Sequence, residues 1–285
     1  MSTDHAARFH DLHHAPASPL LLPNAWDFAS AAALAGAGFA AIGTTSLGVN
    51  SAHGLPDARG AGRAPAVALA RLLVKLPCPV TVDIEAGFSD DPGAVADLAA
   101  ELAGFGVAGV NLEDGRGGGA LAEPGTQAAL IRAVKARAPR LFVNARIDTH
   151  WLRADPPPTA VTRDRAERYL AAGADGIFVP GLSGDGDIAT LAAAVAAPLN
   201  ILFDPRRHTF DRLAALGVRR ISTGSLLFRG AVHAAVTLAR AVRDGDPVPR
   251  DLPTYADLQR LTGDAGVSRA APPPPPAAPP RPAGR

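Results

Sequence analysis

The sequence predicts a parallel (β/α)8 barrel of the TIM type, and three observations carry that expectation. Eight short apolar segments recur, at 20–22, 40–43, 80–83, 109–112, 141–144, 176–179, 199–203 and 220–223. They do not alternate apolar with polar residues, as expected of parallel strands covered on both faces. The phrases AGAGFAAIG, AGFGVAGVNLED, AAGADGIFVP and AALGVRRISTG share one grammar: a helix end, a glycine, a small step and a buried strand. That is the α-to-β connection repeated. The rival, an open doubly wound sheet, is weakened because no G-x-G-x-x-G opens a helix after the first strand.

The elements follow in order. His5, His10, His13 and His14 lie in a first helix that reads as solvated, with nothing nearby to fix metal-ligand geometry. The uncharged run 28–50 is long enough to raise a membrane question. Its Ala, Gly, Ser and Thr content makes it a helix, a glycine stop and a buried strand instead. Residues 47–65 are too many for a simple loop and are expected to cover the site. Asp91-Pro92 opens a helix to Leu102, with proline at its first turn. Further helices are expected at 125–137, with Leu130, Ile131 and Val134 on one face, and at 159–172, 210–217 and 225–242. The expected domain is a single barrel with its N-terminal helix, residues 1–260. Residues 261–285 form a Pro/Ala-rich tail, read as disordered from the run APPPPPAAPPRPAGR.

Composition excludes several function classes. The 285 residues are 47% hydrophobic with a formal net charge of +1, which gives no electrostatic case for nucleic acid. The pairs Arg206-Arg207 and Arg219-Arg220 read as surface charges or local ion pairs. Cys78 is the single cysteine, so no intrachain disulfide forms, and its place before the third strand puts it at the barrel end away from chemistry. No signal-peptide pattern or membrane span is read, and a cytoplasmic location is expected.

Barrel active sites lie at the C-terminal strand ends. There the sequence places Trp26, Asp27, Thr45, Ser46, Asp83, Glu85, Glu113, Asp114, Arg146, Asp148, Asn200, Asp204, Thr223 and Ser225. Asp83 and Glu85 stand at i and i+2, so they share a face. Like charges that close call for a metal, a basic partner or solvation at the rim. With Glu113 ending the next strand, the set favours a hard divalent cation held by oxygen. Arg146 offers a planar fork for a substrate carboxylate or phosphonate, or else neutralises Glu113 or Asp148.

Six stretches in order, from LLPNAWDFASAAALAGAGFAAIGTTSLGVNSAHGLPD through VTVDIEAGFSDDP, GVNLEDG, FVNARIDT and GADGIFVPG to GVRRISTGSLLFRGA, resemble the isocitrate lyase/phosphoenolpyruvate mutase superfamily over roughly residues 15–245. The resemblance implies a Mg2+-dependent barrel enzyme, with Mn2+ as the alternative ion. It implies cleavage or formation of C–C or P–C bonds beside a carboxylate, through enolate-type intermediates. It also implies a homo-oligomer, dimer or tetramer, with the last helix exchanged between subunits. Carried over by motif, Asp83, Glu85 and Glu113 form the metal site, and Asp57 lies near the metal's waters. Arg146 binds substrate, and the backbone at Thr45, Ser46 and Leu47 holds its carboxylate. Trp26 and Asp27 shape the mouth, and Asn200 is assigned to substrate. Arg146, Glu113 and Asp57 are the expected catalytic groups.

The chain departs from the superfamily in one loop. Where lyases carry a K-[KR]-C-G-H gate and phosphonate mutases carry Lys and Asn, it has EDGRGGGALAEPG. His53 and Arg116 are then the candidate proton donors. The expected activity is a lyase or mutase on a small 2-oxo or 2-hydroxy carboxylate, with C–C cleavage preferred. Two alternatives stand beside it. One is a phosphate-binding barrel using Thr223-Gly224-Ser225 at a helix N-terminus. The other is a carboxylate-binding relative without turnover.

Overall fold

The structure, a computed structural model, describes residues 4–15, 18–152 and 157–263. Helix α1 (His5–His14) precedes β1 (Leu20–Leu22) and β2 (Asn24–Ala25), which are one extended segment broken at Pro23. The repeating units follow: α2 (Phe28–Gly36) leads to β3 (Ile42–Thr44), and α3 (Ser46–Ala52) with α4 (Arg63–Leu73) leads to β4 (Val80–Asp83). After α5 (Pro92–Phe105) and β5 (Gly109–Glu113) comes a small hairpin of β6 (Gly115–Arg116) and β7 (Ala120–Leu121). Then α6 (Pro124–Arg137), β8 (Phe142–Arg146), α7 (Thr159–Ala171), β9 (Gly176–Val179) and α8 (Asp185–Ala194) follow in turn. The chain continues through β10 (Leu199–Leu202), α9 (Phe210–Ala215), β11 (Arg220–Ser222), α10 (Leu226–Asp244) and α11 (Tyr255–Gly263).

The parallel sheet runs β1-β11-β10-β9-β8-β5-β4-β3-β2. β1 pairs with β11 and β2 with β3, so segment 20–25 joins the two ends of the sheet into a barrel. Proline interrupts the ladder there because it has no N–H to donate. The expected strands are all present, with ends shifted by a residue or two. β5 runs on to Glu113 and β8 to Arg146, which makes those two residues register partners.

Alternation sorts the side chains. Val82, Val110, Val143, Ile177, Ile201 and Ile221 pack outward under the helices as one buried cluster. A second cluster, Phe9, Leu20, Leu22, Ala41 and Phe142, fills the N-terminal end of the barrel's bore. Phe9 comes from α1, so α1 is the plug of that end.

This corrects two expectations. α1 is not solvated throughout: His13 is 2% exposed. It stacks on Phe142 with ring centroids 4.2 Å apart, and its Nδ1 bonds the Phe9 carbonyl at 2.7 Å. His10 and His14 are exposed. The second correction concerns Arg220, which is 0% exposed, inside the bore, and not a surface charge. Strand alternation explains it: Arg220 and Ser222 point inward, while Ile221 between them packs under the helices. Arg206 and Arg207 are exposed and pair locally with Asp204, as expected.

Cys78 is buried, and burial pushes its thiol up to about 11. Helix α11 crosses the boundary expected at residue 260, and Leu261 packs against the core. Most of the expected tail, 264–285, lies outside the described residues. Among the described residues no helix is long and apolar enough to cross a membrane.

Burial holds His13 neutral, down to about 3 against an ordinary 6.5. A depressed value means that its contribution to stability is complete above pH 6.5 and lost as the pH falls from 6.5 toward 3, at roughly 1.4 kcal/mol per pH unit. His13→Phe keeps the ring stack and removes the titration. Denaturant midpoints measured from pH 7.5 to 4.5 should fall less steeply in that variant than in the parent.

Candidate functional site

A cleft of about 460 Å³ opens at the C-terminal strand ends. Ser46, Asp57, Glu85, Glu113, Arg146 and Asp148 form its polar side; Phe88, Trp151 and Leu152 form its apolar side, with Arg59 and Arg116 at the rim.

Arg146 is its centre. Its Nη1 lies 2.6 Å from Glu113 Oε2, across the β5–β8 register pair, and its Nε donates to Asp148 Oδ1 at 2.7 Å. Trp151 and Phe178 flank the guanidinium at about 6 Å. Of the two roles open to Arg146 from the sequence, a fork for a substrate anion or a neutralising partner of Glu113 or Asp148, the structure shows the second, with both acids paired at once. Burial alone would weaken its charge, but Glu113, Asp148 and Asp83 together hold its pKa above the ordinary value.

The acids outnumber this cation. Burial raises Asp83, although Arg146 and the Ser46 amide oppose the shift. Burial likewise raises Glu85 and Asp148, and it pushes Glu113 up to about 8. Asp83 is braced on both sides: Ser46 N–H donates to its Oδ2 at 3.2 Å and Glu85 N–H to its Oδ1 at 3.3 Å. Asn50 was missed by motif reading. It is 1% exposed, and its Nδ2 donates to Glu85 Oε1 at 2.9 Å and to Asp57 Oδ1 at 3.3 Å, which ties the long loop to the strand-end acid. Asp148 is placed by the sequence at a strand end and as an acid that Arg146 neutralises, and Asp114 at the strand end beside Glu113. Fully buried, Asp114 accepts from Tyr169, Arg165 and the Asp148 amide, and so anchors the hairpin and the Arg146 partner together.

Backbone strain gathers here. Among the described residues, three that are not glycine have positive φ: Ala58 at 53°, Glu85 at 51° and Phe88 at 57°. All three line the cleft. Each such conformation costs roughly 1–2 kcal/mol, and strain of this kind collects at functional sites. Gly62 must be glycine for a related reason, since a Cβ there would run into Asn50 and Glu85.

The remaining sequence candidates fall in different places. Ser46 lines the cleft, whereas Thr45, Leu47 and Trp26 do not. Two of the three amides expected to hold a carboxylate are engaged: Thr45 N–H donates to the Ala25 carbonyl and Ser46 N–H to Asp83. Trp26 packs edge-on against Phe228 at 5.5 Å, and Asp27 caps α2 through Ser30. Asn200 is displaced from the mouth. It is 0% exposed and faces the bore, because its inward position on β10 lies below the strand end. His53 is exposed and bonds the Val49 carbonyl, away from the cleft. Arg116 lines the cleft but is tied down by Glu113 and Gly115 carbonyls and Gln127.

The anion cradle after β11 is also partly filled. Asn24 Oδ1 accepts from the Thr223 amide at 3.0 Å and from the Gly224 amide at 2.8 Å. Two of the three amides of that cradle are thereby engaged, which weakens the phosphate-binding alternative.

The donor set left at the cleft is all oxygen, anionic and partly unneutralised, the chemistry that suits Mg2+ or Mn2+. Among the described residues no three acids are drawn into a ready-made cage.

The family model described as phosphoenolpyruvate phosphomutase matches residues 9–243. An uncharacterized protein of Mycobacterium tuberculosis (strain ATCC 25618 / H37Rv) is 48% identical over 251 residues, covering 88% of this chain and 94% of that protein. The 2-methylisocitrate lyase of Bacillus subtilis (strain 168) is 34% identical over 203 residues, covering 68% of this chain and 65% of that protein. The crystal structure of 2,3-dimethylmalate lyase, a PEP mutase/isocitrate lyase superfamily member, superposes with a TM-score of 0.79 at 25% identity, covering 92% of this chain and 96% of that one. The resemblance drawn from the six motifs is therefore correct at the level of the superfamily, whose members are lyases and mutases of small carboxylates.

Removing the Asn50 bridge leaves Asp57 and Glu85 without their shared donor. Asn50→Ala should cost about 2 kcal/mol, the scale of a hydrogen bond to a charged group. It should appear as a lower urea midpoint with an unchanged slope.

Proposed function

The chain belongs to the phosphoenolpyruvate phosphomutase family, and we propose that it is a Mg2+-dependent lyase acting on a small 2-oxo or 2-hydroxy carboxylate through an enolate-type intermediate. The observation that carries this reading is the crowding of acids around Arg146: it pairs with Glu113 and Asp148, while Asp83 and Glu85 beside them have no ion-pair partner among the described residues, and burial raises all four acids. The relatives named as lyases are the ground for preferring C–C cleavage, while the family model, described as a phosphomutase, keeps P–C chemistry as the alternative.

Asp83 would hold the ion directly or through water, with Glu85, Glu113 and Asp57 on its waters, and Mn2+ would serve in the same place. When bound, such an ion supplies Lewis-acid stabilisation of developing negative charge. Arg146 has its Nε and Nη1 committed to acids, which leaves Nη2 for a substrate carboxylate. Phe88, Trp151 and Leu152 take the apolar part of the substrate and exclude water from it. With no Cys, Lys or His in the hairpin, Glu113, whose carboxyl burial pushes up to about 8 against the pull of Arg146, is the candidate proton carrier of the cleft.

We also propose that the protein is a homo-oligomer built through its last long helix. α10 has no buried residue over its whole length, and Val232 and Val236 are about half exposed on it. A second copy of the chain is the occupant that the resemblance implies for this face. Val232→Asp with Val236→Asp should reduce the mass seen by light scattering to that of one chain; an unchanged mass would remove α10 from the interface.

The activity is tested by incubating the protein with pyruvate or 2-oxobutyrate in D2O and following deuterium at C3 by NMR. Exchange should require Mg2+ and should drop at least 100-fold in Arg146→Ala and Asp83→Ala, the scale of losing transition-state charge stabilisation. Mg2+-dependent binding of 2-oxo acids without exchange would instead favour the relative that binds and does not turn over.

A further inference from the structure

The bore beneath the cleft is polar where barrel interiors are usually packed with branched apolar side chains. Thr81, Asn111, Asn144, Asn200, Arg220 and Ser222 are all buried, and strand alternation turns them inward. Arg220 crosses this space. It leaves β11 and its Nη2 reaches Asn111 Oδ1 on β5 at 3.1 Å, and β5 stands four places round the sheet. The guanidinium carbon lies 6.0 Å from the centre of the Phe9 ring, which closes the bore below.

No acid neutralises it at contact. Among the described residues its Nε and Nη1 have no hydrogen-bond partner, nor do Thr81 Oγ1, Ser222 Oγ or either amide atom of Asn200. Buried groups of this kind are served by internal water, which leaves the charge itself uncompensated. The carboxylate whose field reaches Arg220 is Asp83, two residues above Thr81 on the same face of β4. Burial pulls Arg220 down to about 9, so it stays protonated at neutral pH.

We propose that Arg220 is a fixed cation under the acid cluster, a positioning residue whose charge weakens divalent-cation binding in the cleft and strengthens binding of an anionic substrate. The proposal rests on the reading of the cleft as a metal and carboxylate site. A unit charge beneath a partly buried site acts on a dication and on an anion with opposite signs, and its effect is not screened as a surface charge would be. An anion that forms during reaction gains from it in the same way as a bound one.

The test uses two variants and two probes. Arg220→Met removes the charge and keeps an unbranched side chain; Asn111→Asp leaves Arg220 in place and neutralises it through its one partner. Mn2+ binding is measured by the loss of the free-ion EPR signal. Oxalate, a planar dianion with adjacent oxygens, is titrated by calorimetry into the Mn2+-saturated protein. Both variants should bind Mn2+ roughly tenfold more tightly and oxalate roughly tenfold more weakly. A packing defect would weaken both ligands together; that result, or no change in either, overturns the proposal. Failure of both variants to fold would make Arg220 a determinant of the fold and overturn it as well. If the parent binds neither Mn2+ nor oxalate, the reading of the cleft falls first and takes this proposal with it.

Discussion

Arg146 Nη1 meets Glu113 Oε2 at 2.6 Å because β5 and β8 bring the two residues into register, and most of the cleft is arranged around that contact. The guanidinium cannot satisfy Glu113, Asp148, Asp83 and Glu85 together, so each remaining acid has its own support. Asp83 takes the Ser46 and Glu85 amides, and Glu85 takes Asn50. Asp114 pins the Asp148 backbone from behind, helped by Tyr169 and Arg165. The left-handed backbone at Glu85 follows from the same constraint, because the chain must turn sharply to bring a second acid back beside Asp83.

The barrel is built in three tiers. Phe9, Leu22 and Phe142 close the bottom, a ring of amides and hydroxyls with Arg220 fills the middle, and the acid cluster occupies the top. The apolar side chains that stabilise the fold lie mainly outside the sheet, under the helices, where burial is worth about 25 cal/mol per Å². The interior is thereby free to carry polar groups that a single-cored domain of this length would otherwise exclude.

Much of this was legible in the sequence. Strand positions could be read because parallel strands buried on both faces are continuous apolar runs, and four of the eight are preceded by the same glycine step. Asp83, Glu85, Glu113 and Arg146 could be placed at one mouth because strand ends fix their level. Asn50 could not be found, because it lies inside α3, and nothing in LGVNSA says that its side chain turns toward Asp57 and Glu85. His13 and Arg220 were misjudged for a shared reason: charge and polarity were read as exposure. His13 is covered by Phe142, and Arg220 alternates inward with Ser222 on β11, facts that depend on which face the neighbouring residues choose. Asn200 is placed one level too high by the sequence because it is counted as a strand end, whereas it is the second residue of β10.

Asn24 has a consequence for what this barrel can become. Its carbonyl oxygen fills the amides of Thr223 and Gly224, and its Nδ2 holds the Thr44 carbonyl at 2.8 Å, so one side chain stitches β11 to β3 across the seam left by Pro23. In a barrel whose first strand is broken, two of the amides that could receive a phosphate group have been spent on closure. Recruiting this scaffold for phosphorylated ligands would therefore require reopening the join between its first and last strands, so its accessible chemistry is restricted at a point remote from the catalytic acids.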